Sequence, residues 1–323
     1  MDFTGTAAND HIDGTAAADR MKGLGGDDTL NGLAGDDLIY GNQGNDIIDN
    51  SAAGGAGNDT IYGGQGDDSI DDPSSSGSDI IYGNFGNDSI LAGLGDNTIY
   101  GGQDNDFVHG NDGSDLIYGN LGNDVIKGLG GADKIFGGQG NDQLEGDGGN
   151  DVVYGNFGND TVVGNAGNDT VYGGQGDDVI QSDRGDDQDV MFGNLGADTF
   201  DFASATQTAP GGLDNIHQAT SDKIADFVTG TDKVALKLSV FTDTSPDFVA
   251  VSNPAATTVE QAAAGLQGNS TGNDVTFVAG ANDGYLFINA NGLSRISGPD
   301  EFAIVLVGKN HLTDFAASDL IFV

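Results

Sequence analysis

Most of this chain is built from one nine-residue unit, and that periodicity constrains the fold more than any other feature. From Gly5 to Asp201 the sequence consists of consecutive copies of G-x-x-G-x-D-x-U-x, where U is aliphatic, and GGQGDDSID at 63–71 is a clear copy. Counting gives about 21 units, separated by short insertions near 50–53, 72–73 and 184–188. A fixed short period of this kind indicates a solenoid.

The residue types within one unit predict a parallel β-roll. Glycines permit positive φ and a tight turn, and the three residues after the aspartate form a short strand whose position 8 points inward. Two units then make one turn of 18 residues. The inward aliphatic residues are Ile39, Ile48, Ile61, Ile81, Ile90, Ile117, Ile126, Ile135, Val153, Val162, Val171 and Ile180. Because each turn buries little apolar surface, stability depends on stacked neighbours and on what fills the loops.

Position 6 is aspartate in nearly every unit, and stacking places these residues in two columns. They are Asp28, Asp37, Asp46, Asp59, Asp68, Asp79, Asp88, Asp106, Asp115, Asp124, Asp133, Asp142, Asp151, Asp160, Asp169, Asp178 and Asp198. At the strand spacing of about 4.8 Å, carboxylates without a counterion would repel one another. Hard oxygen ligands of this kind predict several Ca²⁺ ions rather than Mg²⁺, which demands a tighter octahedron. The predicted carbonyl ligands are those of Gly63, Gly83, Gly101, Gly119, Gly137, Gly155 and Gly173.

Over residues 5–201 these units resemble the nonapeptide G-G-x-G-x-D-x-U-x of RTX (repeats-in-toxin) proteins. The resemblance implies a right-handed parallel β-roll with calcium in both rows of turns. It also implies type I export, with an uncleaved C-terminal signal, to an extracellular or cell-surface location in a Gram-negative-type bacterium. Asn97 replaces a position-6 aspartate and Asp104 replaces a position-4 glycine. We therefore expect weak or empty calcium sites at both, and in the alanine-containing first units.

Charge explains why such a fold needs cations. The chain has 51 Asp and Glu against 10 Lys and Arg, a formal charge of −41, and self-repulsion at this level opposes compaction. The same balance excludes nucleic acid as a partner. Calcium sites of the extracellular type bind at about 10⁻⁴ to 10⁻³ M. Because binding free energy becomes folding free energy, the chain should stay unfolded in the cytosol and fold outside the cell.

The sequence lacks cysteines, a predicted transmembrane segment and a classical signal peptide. There is no Cys, hence no disulfide and no thiolate metal site. The sequence contains no run of about 18 apolar residues, so no transmembrane segment is predicted. Residues 1–14 lack the basic and apolar regions of a classical signal peptide, so export would need another route.

The two outer faces of the predicted roll differ. One row of position-9 residues is aromatic from Tyr40 to Phe192, whereas the other is mixed. Such a ladder can simply stabilise neighbouring strands, or it can form a contact surface for another copy, for the C-terminal domain or for a polysaccharide. The candidate interface residues are Tyr62, Tyr82, Tyr100, Tyr118, Phe136, Tyr154 and Tyr172, together with Phe85 and Phe157 in the following loops.

We predict two domains, a calcium-binding roll over 1–201 and a C-terminal region over 202–323. The second region is expected to be mostly β, with one short helix at Ala255–Gln267 and strands in NDVTFVAG, GYLFINANG, EFAIVLVG and LIFV. It would cap the last turn of the solenoid, as repeat proteins require. Its end, HLTDFAASDLIFV, also resembles an RTX secretion tail.

The sequence favours a structural protein over an enzyme. The four histidines, at positions 11, 109, 217 and 311, are scattered, and neither H-E-x-x-H nor G-x-S-x-G occurs. The expected function is a calcium-binding component of a surface layer, filament or biofilm matrix, with self-assembly as a further hypothesis. The alternatives are an adhesin or carbohydrate-binding roll, then an ancillary module of a polysaccharide-modifying enzyme or an ice-binding protein.

Overall fold

A computed structural model describes residues 1–50, 57–72, 76–181, 188–201, 223–228, 231–236, 248–252, 275–279, 284–289, 301–306 and 319–322. Within these ranges the regular structure is almost entirely β. The chain divides into two compact units, residues 1–162 and residues 163–323. The helix predicted at Ala255–Gln267 lies outside the described residues, as do His217 and His311.

The strands of the first unit follow one another at intervals set by the repeat. They are β1 (Asp2–Thr4), β2 (His11–Asp13), β3 (Arg20–Gly25), β4 (Thr29–Asn31), β5 (Leu38–Gln43), β6 (Ile47–Asp49), β7 (Thr60–Gln65), β8 (Ser69–Asp71), β9 (Ile80–Phe85), β10 (Ser89–Leu91), β11 (Thr98–Gln103), β12 (Phe107–Asp112), β13 (Leu116–Leu121), β14 (Val125–Gly130), β15 (Lys134–Gln139), β16 (Gln143–Gly148) and β17 (Val152–Phe157). Strand β18 (Thr161–Ala166) spans the division between the units.

Odd-numbered and even-numbered strands of the first unit form two separate parallel sheets. Register follows the repeat, because Ile99 pairs with Ile117 and Tyr100 with Tyr118, one 18-residue turn later. Strand β5 pairs with β7 across the first insertion without a change of face. The predicted parallel β-solenoid is confirmed.

Position 8 of the nine-residue repeat forms the core, as predicted. The twelve aliphatic residues expected to point inward are each at most 1% exposed. The same rows also contain buried Met21, Leu30, Ile70, Val108 and Leu144. The core is therefore a narrow stack of one aliphatic side chain per unit, which stacking buries completely.

Truncating one of these core residues should be costly. Ile117 is fully buried, whereas Ile47, at position 7, is 51% exposed. We expect Ile117→Ala to lower the free energy of unfolding by roughly 2–5 kcal/mol in saturating calcium, since it leaves a cavity. Ile47→Ala should cost less than about 1 kcal/mol, since it removes a largely solvated side chain. Denaturant titration of the two variants would compare the costs, and equal losses would contradict this assignment of the core.

Many strands are longer than the three residues predicted, because they continue into positions 1 to 3 of the next unit. Gly102 and Gln103, for example, pair with Asn120 and Leu121 in the parallel ladder. Position 2 is left-handed along this stretch, with φ of 77° at Asn120. Position 4 is left-handed as well, usually at glycine. In most of the nine-residue units that the structure describes, the chain therefore bends at two left-handed residues rather than through an open loop.

The strands of the second unit are β19 (Thr170–Gln175), β20 (Val179–Gln181), β21 (Val190–Leu195), β22 (Thr199–Asp201), β23 (Lys223–Ile224), β24 (Lys233–Leu236), β25 (Phe248–Ser252), β26 (Val275–Ala279), β27 (Gly284–Asn289), β28 (Glu301–Leu306) and β29 (Leu320–Phe322). Beyond 201, β23 and β24 pair in parallel with β21 and β22. Strands β28 and β29 follow in the same two sheets, and β26, β27 and β28 are antiparallel neighbours. The last four predicted strands are thus present, while the domain boundary at 201 and the capping role stay predictions.

Candidate metal centre

The position-6 aspartates bind the backbone of the preceding turn through one carboxylate oxygen. The amide of Asp28 donates to Asp46 Oδ1 at 2.9 Å, and the amide of Asp106 donates to Asp124 Oδ1 at 2.9 Å. In the other row, Asp115 N donates to Asp133 Oδ1 at 2.8 Å. Each column is therefore a chain of carboxylates and amides that fixes one oxygen of every side chain.

The second oxygen of these carboxylates is the feature that points to a metal. It is buried and has no hydrogen-bond partner in Asp28, Asp37, Asp46, Asp68, Asp88, Asp106, Asp115, Asp124, Asp133, Asp142 and Asp198. The side chains themselves are at most 3% exposed. Leaving a buried carboxylate oxygen unpaired costs several kcal/mol, so its repetition along the columns points to bound cations.

Position 1 shows where a cation's further ligands would come from. A Cβ placed on Gly41 would overlap Asp46 Oδ2 and the carbonyl oxygen of Gly63. The same arrangement recurs at Gly119, whose missing side chain leaves room for Asp124 Oδ2 and a carbonyl of the next turn. At Gly41 and Gly119 the missing side chain leaves the space in which a carboxylate and a carbonyl oxygen converge.

The predicted carbonyl ligands occupy this place. The oxygens of Gly63, Gly83, Gly101, Gly119, Gly137 and Gly155 each lie beside the position-1 glycine of the preceding turn, which also faces an aspartate Oδ2. This donor set of carboxylate and carbonyl oxygens, without imidazole or thiolate, fits Ca²⁺. A bound Ca²⁺ would supply the positive charge that the columns lack. Binding by these carbonyls, and by that of Gly173, stays a prediction.

Burial changes the acidity of the columns. It raises the pKa of Asp106 and of Asp115 to about 8, and neighbouring carboxylates add to the effect. It raises the pKa of Asp68 and of Asp133 to about 7. Without a metal, the folded columns therefore hold protons near neutral pH, because a buried carboxylate is favoured only when a cation or a proton neutralises it.

The predicted list of position-6 aspartates left out several members of the columns, among them Asp19, Asp189 and Asp232. Asp19 is 4% exposed, and its amide donates to Asp37 Oδ1 at 2.8 Å. Asp189 accepts from the amide of Asp169 at 3.0 Å, and Asp232 accepts from that of Asp198 at 3.2 Å. The signal was present for each, since an aliphatic strand residue follows the aspartate two positions later in DRM, DVM and DKV.

The two predicted weak sites differ in the structure. Asn97 keeps its place in the column, because its Oδ1 accepts from Asp79 N at 2.9 Å. Its Nδ2 donates to Gly93 O at 3.2 Å, so an amide hydrogen replaces the cation there. Asp104 adopts the left-handed conformation that glycine has in other units, with φ of 74°. Asn97 therefore needs no metal of its own, whereas Asp104 preserves the turn.

The whole column pattern corresponds to a known repeat. Overlapping matches to the RTX calcium-binding nonapeptide repeat together cover residues 4–71 and 74–189, more than half of the chain. The chain belongs to the RTX calcium-binding repeat family. Members with this repeat are typically extracellular proteins exported by type I secretion. A calcium-binding module is thus shown for this RTX chain, while the ligand residues and the number of ions stay predictions.

Among solved structures, this RTX chain is similar to the AlgE6R3 subunit of the mannuronan C5-epimerase from Azotobacter vinelandii, known from a solution structure. Identity is 18%, the match covers 60% of this chain and 82% of that chain, and the TM-score is 0.28. No curated protein sequence matches the chain. In the part that the structure describes, no helix is long and apolar enough to cross a membrane.

Proposed function

We propose that this RTX protein is a secreted structural component of a cell surface layer, extracellular filament or biofilm matrix, and not an enzyme. It folds when calcium binds outside the cell and assembles with further copies of itself. The observation that carries the proposal is the column of buried, unpaired aspartate oxygens, which makes the fold itself depend on calcium. A fold that forms only at extracellular calcium suits a chain that is exported unfolded.

The geometry of the aromatic row indicates that its main role is to stabilise the stacking of neighbouring strands. Its rings lie face to face from Tyr40 to Tyr154, with centroids 4.7 to 5.0 Å apart and planes within 5° of parallel. Tyr172 and Phe192 form the same stack in the second unit, at 4.6 Å. Because each ring covers its neighbour's face, the ladder offers mainly ring edges to a partner. This geometry disfavours sugar stacking on the ladder and favours a stabilising role.

The better surface for assembly is the row beside the ladder, at position 3. We call it the position-3 stripe, and it consists of Gln43, Gln65, Phe85, Gln103, Leu121, Gln139 and Phe157, all exposed. Phe85 is 49% exposed, Leu121 40% and Phe157 50%. From Phe85 onward the register alternates apolar and amide side chains. Regular exposed apolar groups bordered by hydrogen-bonding amides are typical of an association surface, and a second copy presents the same repeat.

Light scattering on the purified chain tests this assembly. We expect particle size to grow as calcium rises from EGTA to about 10 mM, which spans the extracellular affinity range. The triple variant F85S/L121S/F157S should fold on calcium but stay small, because it removes the apolar groups of the position-3 stripe. A matched control, I47S/F107S, changes exposed apolar residues of the other sheet and should assemble like the parent.

Two results would overturn the proposal. One is a parent chain that folds but stays monomeric throughout the titration, which would favour an adhesin with a foreign ligand. The other is a triple variant that assembles as fully as the control, which would move the contact away from the position-3 stripe. Circular dichroism on the same samples separates a loss of assembly from a loss of folding.

A further inference from the structure

Three successive turns of one row lack the glycine that position 1 usually carries. The amide of Asn50 donates to Asp71 O, that of Asp72 to Leu91 O, and that of Ala92 to His109 O. The amide of Gly14 makes the same bond in its turn. Asn50, Asp72 and Ala92 therefore occupy the position-1 place, and their side chains enter the space that an aspartate and a carbonyl oxygen share in other turns.

In the middle turn this substitution brings three carboxylates together. One oxygen from each of Asp59, Asp72 and Asp79 lies within 4.8 Å of the others, and the residues are 2%, 0% and 1% exposed. In ordinary turns the space beside the position-1 glycine is lined by one position-6 carboxylate oxygen and a backbone carbonyl oxygen. Among the residues that the structure describes, no other three carboxylates come this close together, so negative charge is concentrated here.

The surrounding amides compensate only part of this charge. Asn50 Nδ2 donates to Asp59 Oδ2 at 2.5 Å and reaches Asp72 Oδ2 at 3.4 Å. Asp72 Oδ1 remains fully buried without a hydrogen-bond partner, and so does the side-chain Oδ1 of Asn50. In the following turn, Asn97 is already satisfied by Gly93. The uncompensated charge is thus concentrated at Asp72, and its orphaned oxygen indicates a ligand that is absent from the protein's own hydrogen bonds.

We propose that Asp72 is an additional side-chain ligand of a calcium site that also uses the position-6 residues Asp59 and Asp79, and that this is the tightest calcium site of residues 1–162. Affinity for Ca²⁺ rises with the number of charged ligands and with the rigidity of the site. Here Asp72 adds a third buried carboxylate to those of two position-6 aspartates. Only oxygen donors are present, which favours Ca²⁺ over Zn²⁺ or Cu²⁺.

Calcium titration of the full chain against a chromophoric chelator tests the site. The parent should show one site at least about tenfold tighter than the repeat sites, since an added carboxylate strengthens calcium binding. Asp72→Asn keeps the shape and removes the charge, and should abolish that tight site. Asp124→Asn, in an ordinary turn, should retain it and lose one weak site instead. Asp72→Gly restores the repeat's glycine and should convert the tight site into an ordinary one.

The proposal is overturned if the parent has no tighter site, or if Asp72→Asn and Asp124→Asn titrate alike. Circular dichroism in saturating calcium shows whether each variant folds. Should Asp72→Asn fail to fold, Asp72→Gly reads out the same loss, because position 1 is glycine in most turns. The inference does not depend on the structural role proposed above, since scattering reports assembly and the chelator reports calcium binding.

Discussion

EGTA at about pH 7.5 is expected to unfold the roll, since metal binding supplies folding free energy. The reason lies in the two columns, where buried aspartate oxygens have no partner within the protein. A site with a dissociation constant of about 10⁻⁴ M stabilises the folded state by about 2.7 kcal/mol at about 10 mM calcium. Several such sites together exceed the usual stability of a domain, about 5–15 kcal/mol. Far-UV circular dichroism should change from disordered to β as calcium is added.

Magnesium provides the control for that titration. The same concentration of Mg²⁺ should fold the chain poorly, because it requires a tight octahedron and gives up water reluctantly. A β spectrum that persists in EGTA at neutral pH would contradict calcium-driven folding. Equal folding by the two ions would contradict a specific fit of the sites to Ca²⁺. Screening of the negative charge would then be the remaining explanation of the folding.

Acid should partly replace calcium, which is the second large effect. Burial raises the pKa of Asp37 to about 7 and of Asp106 to about 8, from an unfolded value of 3.8. Because the folded carboxyls bind protons more readily than the unfolded ones, their contribution is full below the unfolded pKa. It is lost as pH rises through about 6 to 8, the range of the raised values in the columns. In EGTA we therefore expect more β structure at about pH 5 than at about pH 8.

Calcium should reverse this dependence, and that reversal is the internal control. Ca²⁺ binds the deprotonated carboxylates, so its affinity falls as pH is lowered. In saturating calcium the fold should be retained at about pH 8, where the EGTA sample is unfolded. A metal-free chain that loses β structure on going from about pH 8 to about pH 5 would contradict the burial of the columns.

The core and the columns could be predicted because both follow the period of the sequence. Ile117 and Asp124 each lie at a fixed offset from a glycine, and stacking repeats every contact one turn later. A single unit determines little by itself, but its repetition determines the strand pairing, the buried face and the acidic rows. The repeat therefore allowed both the fold and the type of metal to be predicted.

The left-handed leucines at position 2 could not be predicted, because contacts between turns override the local preference of the residue. Leu24 and Leu129 are left-handed at position 2, with φ of 82° and 77°, although leucine disfavours that region. Their place in the parallel ladder imposes the conformation, since Leu24 pairs with Asn42. The signal was indirect, namely the excess of glycine and asparagine at position 2 in other units.

The insertions hid the register in a similar way. Counting units from the next glycine or serine placed Asn50 and Asp72 outside the repeat. The structure places them at position 1, because Asp49 and Asp71 pair in the ladder immediately before them. Pairing of the preceding strand, and not the identity of the next residue, decides which side chain enters the metal row.

Anomalous diffraction from crystals grown in calcium would test the central claim most directly. We predict peaks in two rows, each about 2.3–2.6 Å from an Oδ2 atom of a position-6 aspartate. Asp46, Asp68, Asp88, Asp106, Asp124 and Asp142 should mark one row, beside the position-1 carbonyls. A folded roll whose peaks lie only at exposed carboxylates, with these buried oxygens unliganded, would contradict the account.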